Sequence, residues 1–246
     1  MIVQVTLHEW RRQHAGLTFW LLLAFTQLIV AWLSFAQLEA FAEIAPQLRA
    51  GAATIGATDL VIMPTFNSLL LLLLLTSPLL AMGSLAGEVH SGRMALWLAA
   101  PVSSAQIVIG KVLGLWLAIL PLVLSASLTL AALGLGVELD TARFGLGVAA
   151  MLTVALWLAC ITVFVSGLFD HPAAALATSY GVLLFLWLLD SLSGPSAPWH
   201  GWALLPHVEP MLLGLLRSQD LLYFISTGGA AVLLGIFLVD RRRGAI

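Results

Sequence analysis

Charged residues and histidines divide this chain into six long apolar segments. Each segment has 18 to 28 consecutive residues without Asp, Glu, Lys, Arg or His. About 20 apolar residues are needed to cross a bilayer as a helix, and an ionised side chain at the bilayer centre is costly. The pattern therefore predicts an all-α, polytopic membrane protein with six transmembrane helices in one domain, residues 1–246. The predicted spans are about 16–38, 60–86, 112–136, 144–168, 172–189 and 221–239.

The composition excludes a water-soluble domain. Hydrophobic residues make up 61% of the chain and charged residues 9%, whereas soluble domains have about 45–50% apolar and about 25% charged residues. The net charge of −2 offers no general attraction to nucleic acid. The lipid membrane is the expected environment, and no nucleic-acid partner is expected.

Lysine and arginine are distributed unevenly between the two sides of the predicted bundle. With the N-terminus inside, seven of the ten fall on the cytoplasmic side and three on the outer side. Basic loops stay cytoplasmic, so this bias predicts that both termini are cytoplasmic. The cytoplasmic set is Arg11, Arg12, Arg93, Lys111 and Arg241 to Arg243, and the outer set is Arg49, Arg143 and Arg217.

Residues 87–106 form a polar cytoplasmic segment between the second and third spans. Polar residues precede an apolar run that Pro101 ends, and Ser103 can cap the helix that enters the third span. The pattern predicts a short amphipathic helix, which could be a docking surface for a soluble partner or a plain amphipathic loop. The candidate interface residues are Glu88, His90, Gly92, Arg93, Leu96 and Pro101.

The outer loop, residues 191–219, is broken by Pro195, Pro198 and Pro206 and contains a run, Met211 to Leu216, that is too short to cross the membrane. We expect a re-entrant or interfacial helix here. Asp190, His207 and Glu209 are candidates for contact with a substrate or an outer protein partner. A metal site is a further hypothesis, because imidazole and thioether ligands suit copper. Its candidates are His207 and Glu209, with His200 and Met211.

The residues between spans two and three resemble those of type-2 ABC transporter permeases. That family has a Glu, a Gly-Thr, a Leu-rich segment, Pro-Val-Ser and a Gly-Lys in this order. The matching residues here are Glu88, Gly92, Leu96 and Leu98, Pro101-Val102-Ser103 and Gly110-Lys111, and Arg93 departs from the family's Thr.

The last third of the chain is similar to the subgroup of gliding-motility and nitrous-oxide-reductase maturation permeases. The similar features are Pro206-His207, Glu209, Gly214, Asp220, Tyr223-Phe224 and the final arginines. The resemblance implies a permease dimer, of two copies or paralogues, in a bacterial or archaeal cytoplasmic membrane. It implies a separate ATP-binding cassette subunit that binds ATP and Mg²⁺ and receives residues 88–101 as a coupling helix. The assembly is expected to export a substrate, or to transmit ATP-driven motion to an extracytoplasmic protein.

This chain is not expected to be an enzyme or to bind a cofactor itself. A P-loop needs Gly, four residues and then Gly-Lys-Ser/Thr, but Ala105 and Val112 stand where the first Gly and the Ser/Thr are required. An intramembrane enzyme or a haem protein is a weaker alternative, because all six histidines fall at span ends or in loops. A secondary transporter is the main rival, although we expect no buried ionisable residue in the spans for ion coupling.

Overall fold

A computed structural model describes residues 1–50, 56–136, 139–192 and 199–244. These residues form helices and turns, and no strand occurs among them. The all-α prediction is confirmed. The helices are α1 Ile2–Ala15, α2 Leu17–Ala50, α3 Met63–Ala81, α4 Ala86–His90, α5 Met94–Ala99, α6 Ser104–Leu133, α7 Thr141–Leu168, α8 Pro172–Leu192, α9 Leu205–Leu212 and α10 Ser218–Arg243. A π-helical turn, Thr58–Ile62, precedes α3, and a 3₁₀ turn, His200–Trp202, precedes α9.

Six helical segments are long and apolar enough to cross a membrane, as the spacing of charges predicted. The first spanning helix, α2, is longer than expected. It was expected to end near residue 38, but α2 continues to Ala50 with Pro46 inside it. The fourth and fifth spans form a tight hairpin, since α7 ends at Leu168 and α8 begins at Pro172.

The two ends of the helix bundle carry different elements. At one end Arg243 near the C-terminus donates to the carbonyl of Val102, and Arg12 of α1 donates to the carbonyl of Gly83. We call this the proximal end, and α1 and the last turn of α10 lie there. At the distal end the amide of Asp140 donates to Thr58, and Arg143 donates to the carbonyl of Leu213.

The helices α3, α6 and α7 form the centre of the bundle. At least 61% of the most apolar part of each is buried, against 22% for α2 and α8. The short helix α1 packs closely along α6 and does not extend away from the bundle. The bundle thus leaves α2 and α8 exposed on its sides and places α1, α4 and α5 around the proximal end of α6.

Candidate functional site

The proximal connection between the second and third spans is divided into two short helices. Gly92 lies between α4 and α5 with φ +73°, a left-handed conformation that glycine adopts without steric cost. The second helix ends at Ala99, before Pro101. Ser103 then caps α6 in a capping box: its hydroxyl accepts from the amide of Gln106 at 3.2 Å, and the Gln106 side chain accepts from the Ser103 amide at 3.2 Å. The predicted cap is confirmed.

A buried ion pair joins α1 to α6 beneath this connection. The Nζ of Lys111 lies 3.1 Å from Oε2 of Glu9, and both side chains are 1% exposed. Arg12, one turn after Glu9, binds the other carboxylate oxygen. Lys111 also donates to the carbonyl of Ser84 at 2.9 Å, and Gln13 donates to the carbonyl of Leu80 at 2.8 Å. The short helix α1 is therefore bonded both to α6 and to the end of α3.

Glu88 on α4 completes this group of charges. Its Oε1 lies 3.6 Å from the Nζ of Lys111 and 3.7 Å from Nη1 of Arg12. Its Oε2 accepts from Nε of Arg93 at 2.9 Å. The cluster of Glu9, Arg12, Glu88 and Lys111, called the proximal cluster below, has two acids and two bases. Arg93 adds a partly exposed fifth charge at its edge.

Two glycines of α6 allow α1 to approach closely. A Cβ built on Gly110 would lie 2.6 Å from Cβ of Val5, and one built on Gly114 would lie 2.5 Å from Cβ of Glu9 and 2.8 Å from the carbonyl of Thr6. A Cβ atom does not come this close to a non-bonded atom in proteins, so only glycine fits at these two positions. Glycine at helix contacts lets backbones pack closely in membrane proteins. Here the close packing brings Glu9 within reach of Lys111.

The environment of Glu9 favours its ionised form. Burial alone would raise the pKa of Glu9, but the neighbouring charges of Lys111 and Arg12, with their hydrogen bonds, lower it below its ordinary value. Removing one partner from a buried ion pair leaves an uncompensated charge and costs about 3–5 kcal/mol. The proximal cluster is thus a fixed junction, because its charges depend on one another.

Aromatic rings on α4 and α5 contact neighbouring parts of the protein. The ring of Trp97 on α5 lies 5.6 Å from the ring of His8 on α1 and 5.8 Å from the Nζ of Lys111. The ring of His90 on α4 lies 4.2 Å from that of His171 in the turn between α7 and α8. The two short helices therefore contact α1, α6 and the α7–α8 turn.

The distal end contains a second buried carboxylate. Asp220 at the start of α10 is fully buried, and its Oδ1 lies 2.9 Å from Nδ1 of His207 on α9. The His207 ring stacks on Tyr223 at 4.2 Å, and its Nε2 lies 3.2 Å from the carbonyl of Gly201. These contacts hold α9 and the 3₁₀ turn against α10.

A more exposed distal ion pair joins Arg143 of α7 to Asp59 of the π-helical turn, at 2.7 Å. Asp59 also lines a cavity of about 330 Å³ with Asn67 and Glu209. Both members of the pair are about 30% exposed. Solvent therefore screens this pair more than the proximal cluster.

A comparison with protein families gives a match that covers most of the chain. Residues 3–198 match the family described as ABC-2 family transporter protein, a range that includes the whole proximal cluster. The chain belongs to the ABC-2 transporter family. A search of curated proteins found no match. The chain is thus the membrane permease component of an ABC transporter, and the family implies an ATP-binding cassette partner.

Five of the six candidate interface residues lie on the surface of this ABC-2 permease. The exception is Glu88, which is 1% exposed and belongs to the proximal cluster. Leu96, in contrast, is 72% exposed on α5. The exposed candidates are His90, Gly92, Arg93, Leu96 and Pro101. Direct contact of the Glu88 side chain with a partner stays a prediction, while its observed contacts are internal.

Sequence reasoning missed Glu9 and Arg12 as site residues of the permease. The sequence placed Arg12 only among the cytoplasmic basic residues, yet it points inward to Glu9 and Glu88. A signal was available: Lys111 is the single lysine of the chain, and it precedes an uncharged run of spanning length. A buried lysine requires a carboxylate, which the neighbouring short elements had to supply.

The expectation that the spans hold no buried ionisable residue was wrong. Lys111 lies inside α6 and Asp220 inside α10, and both are buried and paired. Each lies near an end of its helix, where short elements outside the span, α1 and α9, supply its partner. Burial by such elements could not be inferred from the spacing of charges alone.

The distal candidates of the ABC-2 permease do not form a metal site in the described residues. No group of three or more His, Cys, Asp or Glu side chains there could hold a metal. Met211 is buried in the hydrophobic core, and both nitrogens of His207 already face oxygen atoms. Glu209 is exposed, Asp190 is partly buried near the end of α8, and the side chain of His200 lies outside the described residues.

Proposed function

We propose that this permease transmits ATP-driven motion from a separate ATP-binding subunit, which docks on the exposed surface of residues 90–101, to the membrane-spanning helices. One observation carries the proposal: this surface is bonded through the proximal cluster to α1 and α6 at once, and Gln13 bonds α1 to α3. A force on α4 or α5 would reach α6 through Glu88 and Lys111. A flexible surface loop would absorb the same force.

On this proposal the proximal end is cytoplasmic, as the positive-inside rule favours, in a bacterial or archaeal cytoplasmic membrane. Arg11, Arg93 and Arg241 are exposed there. Two permeases, identical or paralogous, work with two ATP-binding subunits, and those subunits bind ATP and Mg²⁺. This chain hydrolyses no ATP and serves as a coupling and transport subunit.

Export of a substrate is the default role, and transmission of motion to an extracytoplasmic protein is a second candidate. The distal surface favours the second candidate, because Trp199, Leu213 and Leu215 are each more than half exposed there. Exposed apolar patches mark sites of protein or membrane interaction. His207 and Glu209 would then help to position this surface, and Asp190 stays a candidate contact.

The experiment is copurification with the ATP-binding subunit from cells that express both. The permease is tagged, extracted in mild detergent and compared with Leu96→Arg. The matched control is Leu135→Arg, since Leu135 is 94% exposed but lies at the distal end. We expect roughly equal amounts of both subunits for the native and control chains, and at least about tenfold less ATP-binding subunit for Leu96→Arg, or about 1.4 kcal/mol.

Two outcomes would contradict the proposal. Equal copurification with Leu96→Arg would remove residues 90–101 from the docking surface. A native permease that purifies alone, under conditions that preserve other membrane complexes, would indicate a carrier that works without an ATPase.

A further inference from the structure

An apolar groove runs between three spanning helices, α7, α8 and α10. Its volume is about 410 Å³, and its walls include Phe164, Val165, Leu168, Val182 and Leu234. The groove extends from Trp202 of the 3₁₀ turn toward Leu168, the last residue of α7. It therefore begins in the distal half of the bundle and ends at the proximal end.

The hydroxyl groups in the groove do not make it polar. Thr227 donates to the carbonyl of Tyr223 at 2.6 Å and accepts from the indole of Trp157 at 2.8 Å. Ser226 donates to the same carbonyl. The hydroxyls of Ser226 and Thr227 thus already have partners, and Thr178 adds a further hydroxyl to a wall that is otherwise mostly apolar. The groove therefore offers mainly an apolar surface, with little capacity for new hydrogen bonds. A polar transport substrate is not expected to bind there.

The groove opens toward lipid. Its three helices are all long enough to span the membrane, and α8 and α10 are among the least buried of the six. Leu233 and Phe237 on α10 and Phe185 on α8 are each more than half exposed. In the bilayer core, the molecules available to fill such a groove are the acyl chains of lipids.

The proximal mouth of the groove carries positive charge. Nη2 of Arg242 lies 3.2 Å from the carbonyl of Gly167, the residue before Leu168, and 2.7 Å from Asp170. Arg241 is exposed and lies seven residues after Leu234, on the same side of α10. Arg241 to Arg243 outnumber the two aspartates near this end, Asp170 and Asp240, by one charge. Clusters of basic residues at a helix end attract anionic lipid headgroups.

We propose that the groove binds one acyl chain of an anionic phospholipid, whose headgroup contacts Arg241 and Arg242 at the proximal mouth. Trp202 closes the distal end, where the hydroxyl of Tyr223 donates to its carbonyl at 3.2 Å. Such a lipid would fill the space between α7, α8 and α10 while the helices keep their own contacts. This binding site does not depend on the ATP-binding subunit.

The test uses phosphatidylglycerol with a photoreactive diazirine in its acyl chain, added to the permease in mild detergent. Ala230→Trp fills the groove, because Ala230 lines it and is itself exposed, so the added ring requires no repacking of the core. The control is Leu233→Trp, at a neighbouring residue that is 69% exposed and does not line the groove. We expect cross-links on lining peptides of α7 and α10. Their yield should fall about tenfold in Ala230→Trp, equivalent to about 1.4 kcal/mol, and stay unchanged in Leu233→Trp.

The headgroup is tested separately with Arg241→Gln and with phosphatidylcholine carrying the same diazirine. We expect Arg241→Gln to lower the cross-linking yield with phosphatidylglycerol and to leave the yield with phosphatidylcholine unchanged. The control Arg217→Gln, at the other end of α10, should change neither yield. Equal yields for both lipids in the native chain would overturn the headgroup assignment.

Unchanged cross-linking in Ala230→Trp would overturn the proposal that the groove binds the acyl chain. Cross-links spread equally over the exposed side of α2 would overturn it as well. Elution volume and thermal midpoint establish that each variant is folded. If Ala230→Trp does not fold, Thr178→Phe on the opposite wall replaces it with the same expected loss and the same contrary result.

Discussion

The proximal and distal ends of this permease both contain a buried carboxylate, but they pair it in different ways. At the proximal end, two acids and two bases from three helices form one cluster, with Glu9, Glu88 and Lys111 each about 1% exposed. At the distal end, Asp220 pairs with His207, while Asp59 and Arg143 form a separate, more exposed pair. The proximal charges depend on one another, whereas the distal charges act in separate pairs.

This difference suggests a division of work between the ends. Lipid provides no hydrophobic force to hold spanning helices together, so polar contacts and close packing fix their positions. A cluster shared by α1, α4 and α6 ties these helices together, so we expect them to move as one unit. We expect the separate pairs at the distal end to leave α9 and the π-helical turn able to shift independently. We expect the proximal end to transmit motion and the distal end to respond to it.

Removal of Lys111 should have the largest effect on stability. Lys111→Met leaves Glu9 and Glu88 with too little positive charge, and we expect a loss of about 3–5 kcal/mol, measured as unfolding in mild detergent. Adding Glu9→Gln restores neutrality and should recover part of this loss. The control is Arg11→Met, a neighbouring exposed cation on α1. A double variant as unstable as the sum of the single variants would contradict the cluster's interdependence.

Gly114→Ala should separate α1 from α6. Its Cβ would meet backbone as well as side-chain atoms of α1, and overpacking of this kind costs about 1–3 kcal/mol. The control is Gly229→Ala in α10, where a Cβ meets no atom within 4 Å. We expect a lower thermal midpoint for Gly114→Ala and no loss for the control. Equal midpoints would show that the close approach of α1 is dispensable.

At the distal end, His207→Ala should destabilise the protein more than Asp59→Asn does. His207→Ala leaves the buried Asp220 without its partner, which costs about 1–3 kcal/mol, whereas the partly exposed pair contributes about 0–1 kcal/mol. Thermal unfolding and proteolysis near α9 measure both effects. Similar losses for the two variants would mean that burial does not distinguish the two distal pairs.

Acid should weaken the proximal cluster with a defined direction. Because the pKa of Glu9 is lowered in the folded protein, its contribution is present above the ordinary carboxyl pKa of about 4.3 and is lost as the pH falls through the lowered value. We expect the thermal midpoint of the native chain to fall over this range, and Glu9→Gln to fall less. Parallel pH profiles of the two proteins would contradict this assignment.

The sequence was sufficient to predict the elements but not the direction of their charged side chains. Uncharged runs identified six spanning helices, and Ser103 indicated the start of α6. Local patterns of this kind depend on near neighbours in the chain. The inward direction of Arg12 depends on residues about 70 to 100 positions away, Glu88 and Lys111, and on the close approach at Gly114. No local pattern contains that information.

The most direct measurement of the central claim separates docking from transmission. A fluorophore on Leu215→Cys, in a Cys160→Ser background, reports on the distal end when ATP is added to the complex with the ATP-binding subunit. With Glu88→Gln the exposed surface of α5 is kept, so we expect the subunit to stay bound and the ATP-dependent fluorescence change to be lost. A fluorescence change as large as that of the native complex would contradict transmission through the proximal cluster.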